Sequence, residues 1–254
     1  MNLRIDLNSD IGESFGAWTM GDDAGVLAHV TSANIACGFH AGDALTMQRT
    51  VALALEHGVA IGAHVGLPDL QGFGRREMKI SAAEAHAFTL GQIGALDAFA
   101  RAAGTRLRHV KPHGALYNLA ARDASLADAI AQAIRGFDPE LVLVGLAASE
   151  LPRAGVRAGL RVAHEAFVDR RYEPDGSLTP RSRADAVIAD ADAAVAQALA
   201  IVRDARVSAR DGSTLALRAD TLCVHGDRVD AATWAARLRQ ALEAAGVDVR
   251  TLHD

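Results

Sequence analysis

Lysine, cysteine and long apolar runs are all scarce in this 254-residue chain, and each scarcity narrows what it can be. Lys79 and Lys111 are the only lysines among 26 basic residues, so a lysine inside a motif stands out. Acidic residues number 31, and the resulting formal net charge of −5 excludes the electrostatic footprint of a nucleic-acid binder. Cys37 and Cys223 match no zinc-ligand or redox spacing, which predicts reduced thiols in a cytoplasmic protein. Arg4, Asp6 and Asp10 interrupt the apolar core that a secretory signal needs, so none is expected. The longest uncharged run, residues 24–42, is broken by Thr31, Ser32, Asn34, His40 and three glycines, which argues against a membrane span. There is no Walker-type loop, no GxGxxG, no nucleophile elbow and no cysteine triad pattern, so covalent hydrolase chemistry is disfavoured.

Half of the residues are hydrophobic and 22% are charged, a balance that can bury a large core. Short β-branched or apolar runs alternate with segments of helical period, the pattern of a parallel sheet with helices outside. Strands are predicted over residues 3–8, 31–36, 60–65, 107–112, 141–146, 160–166 and 221–224. Helices are predicted over 44–57, from a Ser81/Glu84 capping box to Gly104, and over 125–135, 185–206 and 230–245. Two connections, 66–80 and 169–183, are long enough to be lids or binding loops. These features predict one α/β barrel domain over residues 1–254, with an open doubly wound sheet as the alternative.

Barrels carry their chemistry at the carboxyl ends of the strands. Six of the seven predicted ends are polar: Asn8, Asp10 and Glu13; Asn34 and His40; His64; Lys111 and His113; Glu165 and Asp169; His225 and Asp227. The seventh, residues 145–148, is bland, so polarity at these ends is not automatic. Lys111 is either a site element or the partner of a barrel carboxylate. Asp10 and Glu13 read as proton-exchanging or cation-holding carboxylates, or as turn caps. His40 and His64 read as acid–base groups or, with Asp10, as ligands of a transition metal. His225 is a ligand-facing or simply a turn histidine. Arg75 and Arg170 offer guanidinium forks for a carboxylate or phosphate, or are solvated loop residues. His29, His57, His86, His109 and His253 lie in helical, flanking or terminal contexts and are assigned no chemistry.

Six ordered blocks resemble the LamB/YcsF family over nearly the whole chain: DLNSDIGESFG (6–16), TSANIACGFHAGD (31–43), GFGRREM (72–78), KPHGALYN (111–118), DRRYEPDGSLTPR (169–181) and CVHGD (223–227). One departure is Val65, where the family usually has proline after the histidine. The resemblance implies an irregular seven-stranded, TIM-like (β/α) barrel related to polysaccharide-deacetylase-like barrels. It also implies the A subunit of a bacterial 5-oxoprolinase, which works with partner subunits B and C to open the lactam of 5-oxo-L-proline to L-glutamate. ATP, with Mg²⁺, would be the co-substrate. On that reading Asp10, His40, His64, Lys111, His113 and Glu165 are the catalytic candidates. Asn8, Glu13, Asn34, Arg75, Asp169, Arg170, His225 and Asp227 are the substrate-binding candidates. Two other readings remain: a stand-alone metal-dependent deacetylase or amidohydrolase, and a non-catalytic subunit that binds small ligands. All three are compatible with a homo-oligomer.

Overall fold

The computed structural model describes residues 3–226 and 230–253. Ten strands and eight helices follow in chain order among them: β1 (Leu3–Ile11), α1 (Asp23–Leu27), β2 (Ser32–Ala36), α2 (Ala44–Glu56), β3 (Ala60–Val65), α3 (Ala82–Ala102), β4 (His109–Pro112), α4 (Gly114–Arg122), α5 (Ala124–Phe137), β5 (Val142–Leu146), α6 (Glu150–Arg157), β6 (Arg161–Phe167), α7 (Ala191–Asp204), β7 (Arg206–Ser208), β8 (Thr214–Ala216), β9 (Thr221–His225), α8 (Ala231–Ala244) and β10 (Val247–Val249). Strands β1 to β6 pair in sequence, β6 pairs with β9, and β9 returns to β1, all in parallel. Seven parallel strands therefore close a barrel, as the alternation of the sequence predicts. The eighth strand of that sheet, β10, pairs with Leu3–Ile5 at the start of β1.

Strands β2, β4, β5 and β9 are buried along their whole length, as expected when helices cover a closed parallel sheet. The helices stop and start where local chemistry demands. Asp43 accepts a hydrogen bond from the Thr46 amide at the head of α2, and Ser81 and Glu84 form the predicted capping box of α3. Helices α3 and α5 pack against each other, and Ile93 and Leu96 on α3 and Ile130 and Ile134 on α5 are fully buried, each worth about 1.5–3 kcal/mol. No helix of the described residues is long and apolar enough to cross a membrane.

The differences from the sequence reading are local. The helix predicted over 185–206 begins only at Ala191, because Asp190 caps it by accepting from the Ala193 amide. It ends at Ala205 in the left-handed region (φ 49°), and a two-stranded hairpin of β7 and β8 follows. That hairpin has three residues per strand, too few to show alternation. The short helices α1 and α6, the helix α4 and the strand β10 were not predicted. Helix α4 is disguised because it starts one residue after His113, inside a motif rich in site residues.

Candidate active site

The register of the barrel brings the polar strand ends together. Asp10 lies opposite both Asn34 and His225, and His64 lies opposite Lys111. Lys111 is 2% exposed. Its Nζ lies 2.8 Å from Asp10 Oδ1, 2.8 Å from Glu165 Oε1, 3.1 Å from Cys223 Sγ and 3.3 Å from Asn8 Oδ1. The Phe167 ring covers it, with Nζ 5.3 Å from the centroid. Burial disfavours the ammonium, but the Asp10 and Glu165 carboxylates outweigh that and hold Lys111 well above the usual lysine range. Burial would likewise raise the Asp10 carboxyl; its interactions with the His64 ring and the Lys111 ammonium outweigh that and hold it well below the ordinary carboxylate range. Lys111 is thus a fixed cation between two carboxylates.

Two carboxamides set this centre from below. Asn34 donates to Asp10 Oδ1 at 2.8 Å and to Asn8 Oδ1 at 2.7 Å, while its own oxygen contacts His109 Nε2 at 2.8 Å. Asn8 and Asn34, expected to bind substrate, instead lie in the barrel interior and orient Asp10 and Lys111. His109, assigned no chemistry from sequence, belongs to this network. A Cβ on Gly62 would overlap the His109 ring, so glycine at that position makes room for it.

A cavity of about 830 Å³ opens above the centre. Buried Asp10, His64, Lys111 and His113 line it together with Arg75, Tyr117, Arg170, Arg181 and His225. Both long connections contribute to the wall, as predicted. Tyr117 donates to Glu165 Oε2 at 2.7 Å. Burial and the adjacent Glu165 push its phenol well above the usual range, so it stays protonated. Arg170 is anchored by the Thr179 carbonyl at 2.6 Å, and burial, with Arg181 nearby, pulls it down to about 10, still charged at neutral pH.

Three imidazoles crowd beside Asp10. His64 Nε2 lies 3.3 Å from Asp10 Oδ2 and 2.9 Å from His113 Nδ1. The His40 ring stacks on His113 with centroids 3.9 Å apart. Glu13 Oε1 stands 4.0 Å from His113 Nδ1. His40 and Glu13 do not line the cavity but stand behind the histidines that do. Across the site, His225 Nδ1 lies 2.8 and 2.9 Å from the two oxygens of Asp169, while Arg181 Nη2 lies 2.8 Å from Nε2. Arginine can only donate, so His225 carries its proton on Nδ1, toward Asp169. Asp169 therefore acts through His225 rather than lining the cavity.

Asp227 lies outside the described residues. Tyr117, Arg181 and Phe167 were missed as site residues. Tyr117 and Arg181 sit within quoted motifs, so attention to the whole motif would have found them; Phe167 is one apolar strand residue among many and gives no signal.

A sequence model described as the LamB/YcsF family matches residues 5–254. The chain is 60% identical over 252 residues to the 5-oxoprolinase A subunit of Methylococcus capsulatus, covering 99% of this chain and 97% of that protein. It is 55% identical over 252 residues to the 5-oxoprolinase A subunit of Bacillus subtilis, covering 99% and 98%. Its structure matches that of the lactam utilization protein from Thermus thermophilus with a TM-score of 0.91 at 50% identity, covering 98% and 99%. With its motifs, barrel and full-length relatives in agreement, this chain belongs to the LamB/YcsF family.

Proposed function

We propose that this chain is the A subunit of a 5-oxoprolinase, opening the lactam of 5-oxo-L-proline to L-glutamate together with two partner subunits and with hydrolysis of ATP. The observation that carries the reading is the buried Asp10–Lys111–Glu165 cluster at the closed end of a cavity whose outer wall is rich in arginine. Relatives at 55–60% identity that bear this activity in their names support it. 5-Oxo-L-proline is small, neutral at its lactam ring and anionic at its carboxylate, which matches a cavity with a polar end and guanidinium groups at Arg75, Arg170 and Arg181.

A lactam resists water because its nitrogen donates into the carbonyl. ATP relieves this when its terminal phosphoryl group is transferred to the carbonyl oxygen. Water then adds to the ring carbon, the C–N bond breaks as nitrogen takes a proton, and a second water releases phosphate from the resulting acyl phosphate. Lys111 is placed to hold the negative charge that develops on oxygen. Asp10, ionised beside it, accepts a hydrogen bond from the attacking water, and Tyr117 with Glu165 keeps Lys111 in position. This chain carries no Walker-type loop, so the partner subunits bring the nucleotide, with its Mg²⁺.

The test is glutamate release from 5-oxoproline by the purified chain, alone and with the partner subunits, with and without ATP. Glutamate formed only with partners and ATP is expected. An assembled complex that binds ATP yet makes no glutamate overturns the reading.

A further inference from the structure

Hydrogen bonds in the three-histidine cluster leave it one cation short. His64 Nδ1 lies 3.0 Å from the Lys111 carbonyl oxygen, and His113 Nε2 lies 2.8 Å from the Phe73 carbonyl oxygen. A carbonyl only accepts, so those two nitrogens carry the ring protons. The remaining nitrogens, His64 Nε2 and His113 Nδ1, then present lone pairs to each other at 2.9 Å, with Asp10 Oδ2 3.3 Å from His64 Nε2. Electron-rich atoms do not face each other in this way unless something positive lies between them.

A shared proton would join His64 to His113 but would not reach His40. That ring is fully buried, and neither of its nitrogens has a hydrogen-bond partner among the described residues. Leaving a buried polar atom unpartnered is costly, so two on one ring demand an explanation. Glu13, His40, His64 and His113 each offer one donor atom, and these four atoms lie within 4.8 Å of one another. The setting is built: Phe73 takes a left-handed backbone (φ 54°) that brings its carbonyl to His113, and a Cβ on Gly74 would stand only 2.7 Å from His40 Cβ.

We propose that Glu13, His40, His64 and His113 bind one divalent transition-metal ion of the zinc class. Three imidazoles and one carboxylate are the donors zinc prefers, whereas magnesium and calcium take oxygen. His64 and His113 line the cavity, so the ion has a side open to it. The set differs from the Asp10, His40 and His64 triad expected from sequence: Asp10 Oδ1 is committed to Lys111 and Asn34, and Glu13 and His113 take its place. His40, His64 and His113 are thereby ligands rather than proton carriers.

The test needs no turnover and stands or falls apart from the lactam reading. The full-length chain is stripped with a chelator, incubated with Zn²⁺ or Co²⁺, dialysed against metal-free buffer and analysed for metal, with the visible spectrum recorded for cobalt. About one ion per chain is expected, with cobalt bands that reveal nitrogen ligands. His40→Gln and Glu13→Gln, each shown folded by circular dichroism, are expected to lose the ion. His57→Ala, at an exposed histidine far from the cluster, is expected to keep it. If His40→Gln does not fold, Glu13→Gln and the cobalt spectrum of the wild-type chain decide. Wild-type protein that retains no ion, or folded variants that retain it fully, overturns the proposal.

Discussion

Replacing Lys111 by methionine keeps the side chain's length and removes its charge, which makes it the sharpest probe of the site. In the native chain this ammonium lies 2.8 Å from both Asp10 and Glu165 and is almost completely shielded from water. Removing it leaves two carboxylates in one dry pocket with no cation between them, and breaking a buried pair in this way costs about 3–5 kcal/mol. For a chain of this size each kcal/mol moves the melting midpoint by about 2 °C, so Lys111→Met should melt roughly 6–10 °C lower. Adding Glu165→Gln removes one of the stranded charges, so a double-mutant cycle measured by urea unfolding should show coupling of about 1–3 kcal/mol. In the assembled enzyme the same variant should lose about 100-fold or more in kcat, the scale of removing a preorganised charge from a developing oxyanion. A Lys111→Met protein that melts with the wild type, with additive effects in the cycle, would refute the claim that the buried cluster organises the site.

His109 provides a pH prediction. Burial pulls its imidazole down to about 3 from an ordinary 6.5, so between those values the unfolded chain binds a proton that the folded chain does not. Stability should therefore fall as pH drops below 6.5, by on the order of 5 kcal/mol across the window. Urea midpoints between pH 7 and pH 4 should show a slope shallower by about 1.4 kcal/mol per pH unit in His109→Gln, and equal slopes would contradict the assignment. Tyr117→Phe deletes the 2.7 Å hydrogen bond to buried Glu165 and should cost about 1–3 kcal/mol by thermal or urea unfolding; no loss would mean that this hydroxyl supports nothing. Arg181→Ala should raise KM for the anionic substrate about tenfold with kcat little changed, the signature of lost ground-state binding. A drop in kcat at constant KM would place Arg181 in the chemistry instead.

Much of the barrel is legible in the chain. The seven closing strands announce themselves as short apolar runs between helical segments, and the limits predicted for 60–65 coincide with the observed Ala60–Val65. Caps such as Ser81/Glu84 act over four residues, so they are readable without any tertiary knowledge. The elements that escaped, α1, α4, α6, the short strands β7 and β8, and β10, are at most nine residues long and are held mainly by packing and pairing with distant segments.

Polar residues at the strand ends were visible because a parallel barrel exposes one end of every strand and the pattern repeats with the period of the fold. Their division of labour was not. Asn8 and Asn34 have the same chemistry as substrate-binding amides, and only the closing of β1 against β2 and β9 turns them inward beneath Asp10 and Lys111. Glu13, His40, His64 and His113 are far apart in the sequence and meet only because four different segments converge on one end of the barrel. Local sequence encodes strands, helices and caps through interactions between near neighbours. The site rests on contacts between residues as far apart as Lys111 and Cys223, and such distances are settled only when the sheet closes.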